Sequence, residues 1–277
     1  MLKTMEKVEF IKMHGLGNDF VILNARAQPI ENKADLSKKL GNRRFGVGCD
    51  QIIFLENSDT ADVFMRIYNP DGSESGMCGN AARCVADIVL KETQKSSVTI
   101  QTITTLLNCV RADNGQVTVD MGEPRLDWVQ IPLAEKCDTL NLKIGGGGVS
   151  NPVAVNMGNP HCVFFVDDVD AVDVAKLGVG FEYNPIFPER ANIEFAEVIS
   201  KTHIKMRVWE RGTGITPACG SGACATAVAA MRRDLTGRKV VVSMDGGDLI
   251  LEWREADNRV YMTGPVAYVF SGFLEDL

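Results

Sequence analysis

The sequence repeats itself at an interval of 141 residues, and this repeat limits the fold more than any other feature. Cys78, followed by glycine, is matched by Cys219, also followed by glycine, and MRIYN at 65–69 is matched by MRVWE at 206–210. The same register aligns Gly17-Asn18 with Gly158-Asn159, Gln51-Ile52 with Asn192-Ile193, and Phe54 with Phe195. Because all the matches fall in one ungapped register, we interpret them as a duplicated domain.

Short β-like runs fill both halves and are separated by turn signals such as DNGQ and DGGD. After each cysteine the pattern predicts a helix, over 80–94 and over 221–234. The second helix is rich in alanine and apolar on nearly all sides, which indicates burial. The glycine-rich stretch 143–152 lacks the phosphate-loop pattern and predicts a flexible hairpin tip. The predicted fold class is therefore mixed, α/β or α+β: two similar β-rich domains, each with one prominent helix.

Composition and charge exclude several classes of function. The chain has 277 residues, a net charge of −7 and 45% apolar residues, and its basic residues do not cluster. Nucleic-acid and anionic-membrane partners are therefore not expected. The N-terminal MLKTMEKVEF lacks a signal-peptide core, and no stretch approaches the about 20 apolar residues of a membrane span. We expect a cytoplasmic protein that acts on a small molecule.

The eight cysteines do not follow a metal-binding pattern. The spacings around Cys78 and Cys219 are C-x5-C and C-x4-C, whereas zinc sites typically use C-x2-C. A chain of this length without a secretion signal is expected to keep its thiols reduced. Most of the cysteines are expected to be small buried hydrophobes, and no metal is predicted.

A cysteine at a helix start is placed for chemistry. The helix dipole and the free N–H groups of the first turn favour thiolate, so we expect the pKa of both cysteines to lie below the usual value of about 8.5. The same N–H groups can bind a carboxylate. Asn80 and Ser221 suit such helix starts, and the glycines before them permit a close approach of a ligand.

Two such helix starts predict stereochemical inversion. If both halves bind one ligand, a thiolate can remove an α-proton while the opposite thiol delivers a proton to the other face. Three other interpretations stay open at this point. A single motif would indicate a buried packing cysteine. A cysteine hydrolase or transferase would need a partner among His14, His161 and His203. A redox pair would be expected to show C-x-x-C.

Five segments together resemble the diaminopimelate epimerase family. They are HGLGNDF (14–20), NPDGSESGMCGNAARC (69–84), VDMGEPRL (119–126), MGNPHC (157–162) and ERGTGITPACGSGACA (210–225). The resemblance covers nearly the whole chain in the family's order. It implies interconversion of LL- and meso-2,6-diaminopimelate in lysine and peptidoglycan biosynthesis, without pyridoxal phosphate, another cofactor or a metal.

The resemblance also implies an architecture. Each of two pseudo-symmetric domains is a mostly antiparallel β-structure wrapped around a central helix. The first domain would comprise 1–122 plus 265–277, because the last strand returns to it, and the second would comprise 123–264. We also expect a homodimer.

The resemblance assigns roles to individual residues. Cys78 and Cys219 match the acid/base pair, which His161 and Glu210 would assist. The backbone N–H groups that would bind the carboxylate of the reacting centre belong to Gly79, Asn80, Gly220 and Ser221. Substrate contacts are implied for Asn18 and Gln51, and contacts to the distal amino-acid end for Asn69, Asn159, Asn192, Glu210 and Arg211.

Two related classes are the alternatives. Proline racemases and hydroxyproline epimerases use two cysteines, but they typically carry histidine where this chain has Asn80. Phenazine-pathway isomerases lack the cysteine pair. The chain also departs from the diaminopimelate epimerase pattern at Gly76, Ala81 and Ile215, where we expect supporting hydrogen bonds near the helix starts to be lost.

Overall fold

The structure, a computed structural model, describes residues 7–274. These residues group into two compact units. One unit ends at Val119 and resumes at Gly264, and the other is Asp120–Thr263. The limits predicted from the sequence, 1–122 plus 265–277 and 123–264, differ from these by up to three residues, and their positions 1–6 and 275–277 lie outside the described residues. That each unit is one epimerase domain stays a prediction.

Strands dominate both units. The first part of the chain forms β1 (Val8–Gly15), β2 (Asn18–Asn24), α1 (Lys33–Gly41), β3 (Gln51–Glu56), β4 (Val63–Tyr68), β5 (Glu74–Ser75), α2 (Gly79–Thr93), β6 (Ser97–Gln101), β7 (Leu106–Arg111) and β8 (Val117–Asp120). The following part forms β9 (Gly145–Gly146), β10 (Val149–Ser150), β11 (Val153–Asn156), β12 (Pro160–Phe165), α3 (Val174–Glu182), β13 (Asn192–Ser200), β14 (His203–Glu210), β15 (Gly214–Ile215), α4 (Gly220–Arg232), β16 (Lys239–Met244), β17 (Gly247–Trp253) and β18 (Val260–Gly264). The last strand, β19 (Ala267–Leu274), pairs with β1.

The strands pair in the same succession in both units. In the first, β2 runs parallel to β3, β3 antiparallel to β4, β4 parallel to β6, and β6 antiparallel to β7. In the second, β12, β13, β14, β16 and β17 repeat this order and these directions. Phe20 lies opposite Gln51, and His161 lies opposite Asn192, so the offset of 141 residues also holds in the strand register.

A buried helix lies against the strands of each unit. α2 packs on β1, β4, β6 and β7, and α4 packs on β11, β12, β13, β14, β16 and β17. The residues from Gly79 to Leu90 are all buried in α2, and those from Gly222 to Met231 are all buried in α4. The predicted α+β class, with mostly antiparallel strands around a central helix, is confirmed.

Each unit also contains a second, shorter helix that the sequence analysis did not predict. α1 and α3 have nine residues each and lie 141 residues apart, as α2 and α4 do. The carboxylate of Asp173 caps α3 by accepting a hydrogen bond from the backbone of Lys176 at 3.1 Å. No helix within residues 7–274 combines the length and the apolar character needed to cross a membrane.

The glycine-rich stretch 143–152 forms a hairpin, as predicted. β9 pairs antiparallel with β10 through a turn at Gly147 and Gly148. These two glycines have φ of 62° and 90°, values that tight hairpin turns require and that residues with side chains rarely adopt.

Candidate active site

Cys78 and Cys219 are the N-cap residues of the two central helices. Both have extended backbone conformations, with φ of −143° and −126°, and their carbonyl groups accept hydrogen bonds from Ala82 and Ala223 at 2.9 Å. Such bonds begin a helix, whose first N–H groups have no partner within the helix itself. Each cysteine therefore lies at the positive end of a helix dipole.

The amide of Asn18 links Cys78 to its neighbours. Its Oδ1 accepts hydrogen bonds from the thiol of Cys78 at 3.6 Å and from Nδ2 of Asn80 at 3.2 Å. The carboxylate of Asp50 holds this amide from the other side, because Nδ2 of Asn18 donates to it at 2.9 Å. The fully buried Arg83 in turn donates to Oδ1 of Asn80 at 2.9 Å. The orientation of Asn18 and Asn80 is thus determined by charged groups behind them.

A charged network supports Asp50. The guanidinium of Arg43 donates to Asp19 at 2.7 Å and to Asp50 at 2.6 Å, and Lys12 also donates to Asp19, at 2.5 Å. Burial alone would raise the pKa of Asp19, but the bonds from Arg43 and Lys12 lower it to about 2. Asp19 is therefore ionised at neutral pH and holds the two cations beside Asn18.

Gln51 has unused hydrogen-bonding capacity. Its Nε2 donates to Oδ1 of Asn69 at 3.1 Å, and Nδ2 of Asn69 donates to Ser73 at 3.0 Å. Oδ1 and Nδ2 of Asn69 are therefore both used. Oε1 of Gln51 is buried and has no partner among the described residues. A buried acceptor without a partner is costly unless a ligand or water supplies a donor.

Acidic groups lie near Cys219 in the second unit. The sulfur accepts a hydrogen bond from the N–H of Gly222 at 3.4 Å and lies 3.6 Å from the hydroxyl of Ser221. Only 5% of Cys219 is exposed. Burial raises its pKa well above the ordinary value, and the negative charges of Glu210 and Glu194 raise it further.

The predicted lowering of the pKa is therefore wrong for Cys219. The helix start acts as expected, because the bonds from Gly222 and Ser221 do lower this pKa, but loss of solvent has the larger effect. At neutral pH Cys219 is a thiol. For Cys78 the lowered pKa stays a prediction.

This difference in burial predicts unequal reactivity toward iodoacetamide. At pH 8 the half-buried Cys78 should be alkylated at least about tenfold faster than Cys219, since only an accessible thiolate reacts. Peptide mapping by mass spectrometry measures both rates in one sample. The fully buried Cys162, whose pKa is also raised by burial, is the internal control and should stay unmodified. Equal rates at Cys78 and Cys219 would contradict this description of the second site.

The other predicted residues of the second unit are joined by hydrogen bonds. Nε2 of His161 lies 2.9 Å from Oδ1 of Asn159, and the hydroxyl of Thr216 donates to Glu210. Asn192 accepts from the backbone N–H of Arg211 at 2.9 Å. These bonds hold the residues in fixed orientations.

A pocket of about 400 Å³ lies beside these residues. Its lining includes Asn159, Pro160, Glu189, Arg211 and Arg125. The side chain of Arg211 donates to the backbone carbonyl of Glu189 at 2.8 Å, which orients the guanidinium along the pocket. Two guanidinium groups suit a ligand that carries a carboxylate.

The sequence analysis missed three residues that support these sites: Asp50, Arg83 and Glu194. Asp50 is adjacent to Gln51, and Arg83 lies in the cysteine motif, so both stood next to residues that were predicted. Glu194 stands two positions after Asn192 on β13, where alternation places both side chains on one face. That alternation was the available signal.

Comparisons with known proteins identify the family. The sequence model described as diaminopimelate epimerase matches residues 10–126 and 153–269. A diaminopimelate epimerase of Rhodospirillum centenum is 55% identical over 269 residues, covering 96% of this chain and 92% of the relative. One from Acidiphilium cryptum is 52% identical over 266 residues, covering 96% of both chains. The chain belongs to the diaminopimelate epimerase family.

A solved structure shows how far the fold extends beyond the family. The hydroxyproline epimerase from Agrobacterium vitis superposes with a TM-score of 0.69, covering 99% of this chain and 92% of that one, at 14% identity. That likeness concerns the fold alone. The much higher identity to the diaminopimelate epimerases separates this chain from the proline racemase alternative.

Two of the departures from the family pattern have visible surroundings. The carbonyl of Gly76 accepts a hydrogen bond from the hydroxyl of Thr104 at 2.9 Å, and a Cβ at Gly76 would lie 2.7 Å from Cγ2 of Thr104. Ile215 pairs with Trp209 and is 47% exposed. Glycine at position 76 is thus matched to Thr104, whereas nothing in the structure explains isoleucine at 215.

Proposed function

We propose that this protein inverts one α-carbon of LL-2,6-diaminopimelate and so produces the meso isomer. The observation that carries the proposal is the equivalent placement of Cys78 and Cys219, each capping the buried central helix of its unit. The identity of 52–55% to curated relatives named diaminopimelate epimerase supports the choice of substrate.

The proposed reaction uses the two cysteines as a base and an acid. In one direction the thiolate of one cysteine takes the α-proton: the C–H bond breaks, an S–H bond forms, and the electron pair moves toward the carboxylate. The other thiol gives its proton to the opposite face of the carbon and becomes a thiolate. The reverse reaction exchanges the roles. The raised pKa of Cys219 makes it the thiol of the resting pair in this scheme.

The helix starts would stabilise the charge that develops on the substrate. We propose that the backbone N–H groups of Gly79, Asn80, Gly220 and Ser221 bind the carboxylate at the reacting centre. Donors fixed in place before the reaction stabilise an enolate-like charge without having to reorient. His161 and Glu210 would assist the thiols, Glu210 through its negative charge near Cys219.

The remaining predicted residues would bind the rest of the substrate. Asn18 and Gln51 would contact it near the reacting centre, and the unpartnered Oε1 of Gln51 suits an ammonium donor. The proposed contacts of the distal amino-acid end are Asn69, Asn159, Asn192, Glu210 and Arg211. The pocket beside Asn159 and Arg211 supports this assignment, because a guanidinium recognises a carboxylate.

We further propose that the enzyme needs neither pyridoxal phosphate nor a metal and works as a homodimer in the cytoplasm, where it supplies lysine and peptidoglycan synthesis. Apolar side chains on β19 support self-association. Val269, Phe270 and Phe273 are 53%, 49% and 63% exposed, and such apolar surface is commonly covered by a partner.

Incubation with LL-diaminopimelate in D2O tests the function. Without added cofactor and with a chelator present, the product should be meso-diaminopimelate carrying one deuterium at the inverted carbon, since the donor thiol exchanges with solvent. Mass spectrometry and chiral chromatography measure both. L-proline and trans-4-hydroxy-L-proline serve as controls and should not exchange. Exchange into proline with none into diaminopimelate would refute the proposal.

A further inference from the structure

Glu194 is a buried acid to which the proposed reaction assigns no role. It lies on β13 with no exposed surface. Its Oε1 lies 2.7 Å from Nδ1 of His161, and its Oε2 has no hydrogen-bond partner among the described residues. A Cβ at Gly222 would lie 2.8 Å from this Oε1 and 3.2 Å from the sulfur of Cys219, so Glu194 and Cys219 border the same point.

The contacts of His161 restrict where its protons are. Nε2 of the ring lies 2.9 Å from Oδ1 of Asn159, and an amide oxygen can only accept, so Nε2 carries a proton. A neutral imidazole has one N–H, which leaves Nδ1 as an acceptor. The proton between Nδ1 and Oε1 must then come from Glu194, unless His161 is doubly protonated and Glu194 is a carboxylate.

The surroundings decide between these two states. Besides His161, the titratable groups that face Glu194 are acids: Cys162 from β12, Glu210 from β14 and Cys219 from the start of α4. Burial raises the pKa of Glu194, and the negative charge of Glu210 raises it further, although His161 opposes both. An uncharged carboxylic acid therefore suits this position better than a buried ion pair.

We propose that Glu194 is a neutral carboxylic acid that donates its proton to Nδ1 of His161 and thereby fixes the ring with its proton on Nε2, directed at Asn159. Glu194 is thus a positioning residue: it acts through His161 on Asn159, which lines the 400 Å³ pocket. With Oδ1 of Asn159 held by the ring, its Nδ2 is left to donate to an acceptor in that pocket, such as a carboxylate oxygen. The effect on turnover rests on the proposed function, whereas the protonation state does not.

Nitrogen-15 NMR of the full-length protein tests the protonation state without substrate. The chain has only three histidines, so single substitutions of His14 and His203 assign the signals of His161. Between pH 6 and 8, a range around the ordinary histidine pKa of about 6.5, we expect a neutral ring protonated on Nε2. A ring protonated on Nδ1, or on both nitrogens, would overturn the proposal.

Two substitutions test the consequence. Glu194→Gln keeps a donor toward Nδ1 through its amide, so the tautomer should persist and kcat/KM for diaminopimelate should stay within about threefold of the wild type. Glu194→Met removes the donor, and KM should rise at least about tenfold, the effect of one buried hydrogen bond. Glu197→Gln is the matched control on the same strand and should leave both readouts unchanged.

The outcomes separate the two proposals. If Glu194→Gln loses as much activity as Glu194→Met, an ionised Glu194 is required and the inference is wrong. If Glu194→Met does not fold, the wild-type NMR and the glutamine variant still decide. If the NMR shows the expected tautomer but no variant turns over diaminopimelate, the proposed function fails while the assignment of the proton stands.

Discussion

Replacing either Cys78 or Cys219 by alanine is expected to lower the rate of diaminopimelate epimerisation at least about a thousandfold. Positioned acid–base groups contribute about a hundredfold to ten-thousandfold to proton transfer, and inversion needs a proton acceptor on one face and a donor on the other. Neither thiol can replace the other, since both are needed in each turnover. Chiral chromatography of the product and deuterium incorporation in D2O measure the loss.

The same helices provide matched controls. Cys84 in α2 and Cys224 in α4 are fully buried cysteines further along the helices that Cys78 and Cys219 cap. Their alanine variants should fold with a small loss of stability and keep kcat within about threefold, because a buried methyl-sized change mainly affects packing. Circular dichroism verifies folding in all four variants. Full activity in the Cys78 or the Cys219 variant would refute a two-base mechanism.

Adding a methyl group at Gly222 is expected to damage the second site severely. The new Cβ would lie 2.8 Å from the carboxyl of Glu194 and 3.2 Å from the sulfur of Cys219. Gly222 is in the first turn of the buried helix α4, so the backbone has no room to move away. We expect kcat to fall at least about a hundredfold through displacement of the thiol. We also expect the free energy of unfolding to fall by about 1–3 kcal/mol through overpacking.

Gly180 in α3 is the matched control for this substitution. A Cβ there would meet nothing within 4 Å, so Gly180→Ala tests the gain in helix propensity without a clash. That gain should raise the free energy of unfolding by about 0.5–1 kcal/mol and leave activity unchanged. Steady-state kinetics and urea denaturation of both variants give the comparison. If Gly222→Ala behaved like Gly180→Ala, the close packing around Cys219 described here would be wrong.

Local patterns were sufficient to predict the central helices. α2 and α4 begin one residue before the predicted positions 80 and 221, because small residues and a cysteine–glycine start suffice to mark a buried helix. The offset of 141 residues also relates α1 to α3, which the analysis overlooked. Those helices are nine residues long, too short for a clear apolar periodicity.

The environment of each cysteine was not predictable in the same way. Helix position alone predicted a lowered pKa for Cys219, yet burial and the charges of Glu194 and Glu210 raise it. Glu194 is 25 residues before Cys219 in the sequence, and nothing local indicates that it lies beside this thiol. Desolvation depends on everything that packs around a group, so it has no signature in a short motif.

The sequence alone therefore determined the duplication, the fold class and the two cysteines that begin the central helices, since each follows from local pattern and from one constant interval. Only the tertiary structure decided which groups surround those cysteines. It placed Asp50 and Arg83 behind the asparagines near Cys78, and it placed Glu194 against His161. The physical reason is that hydrogen bonds and burial act through space, between residues whose distance along the chain carries no information about their contact.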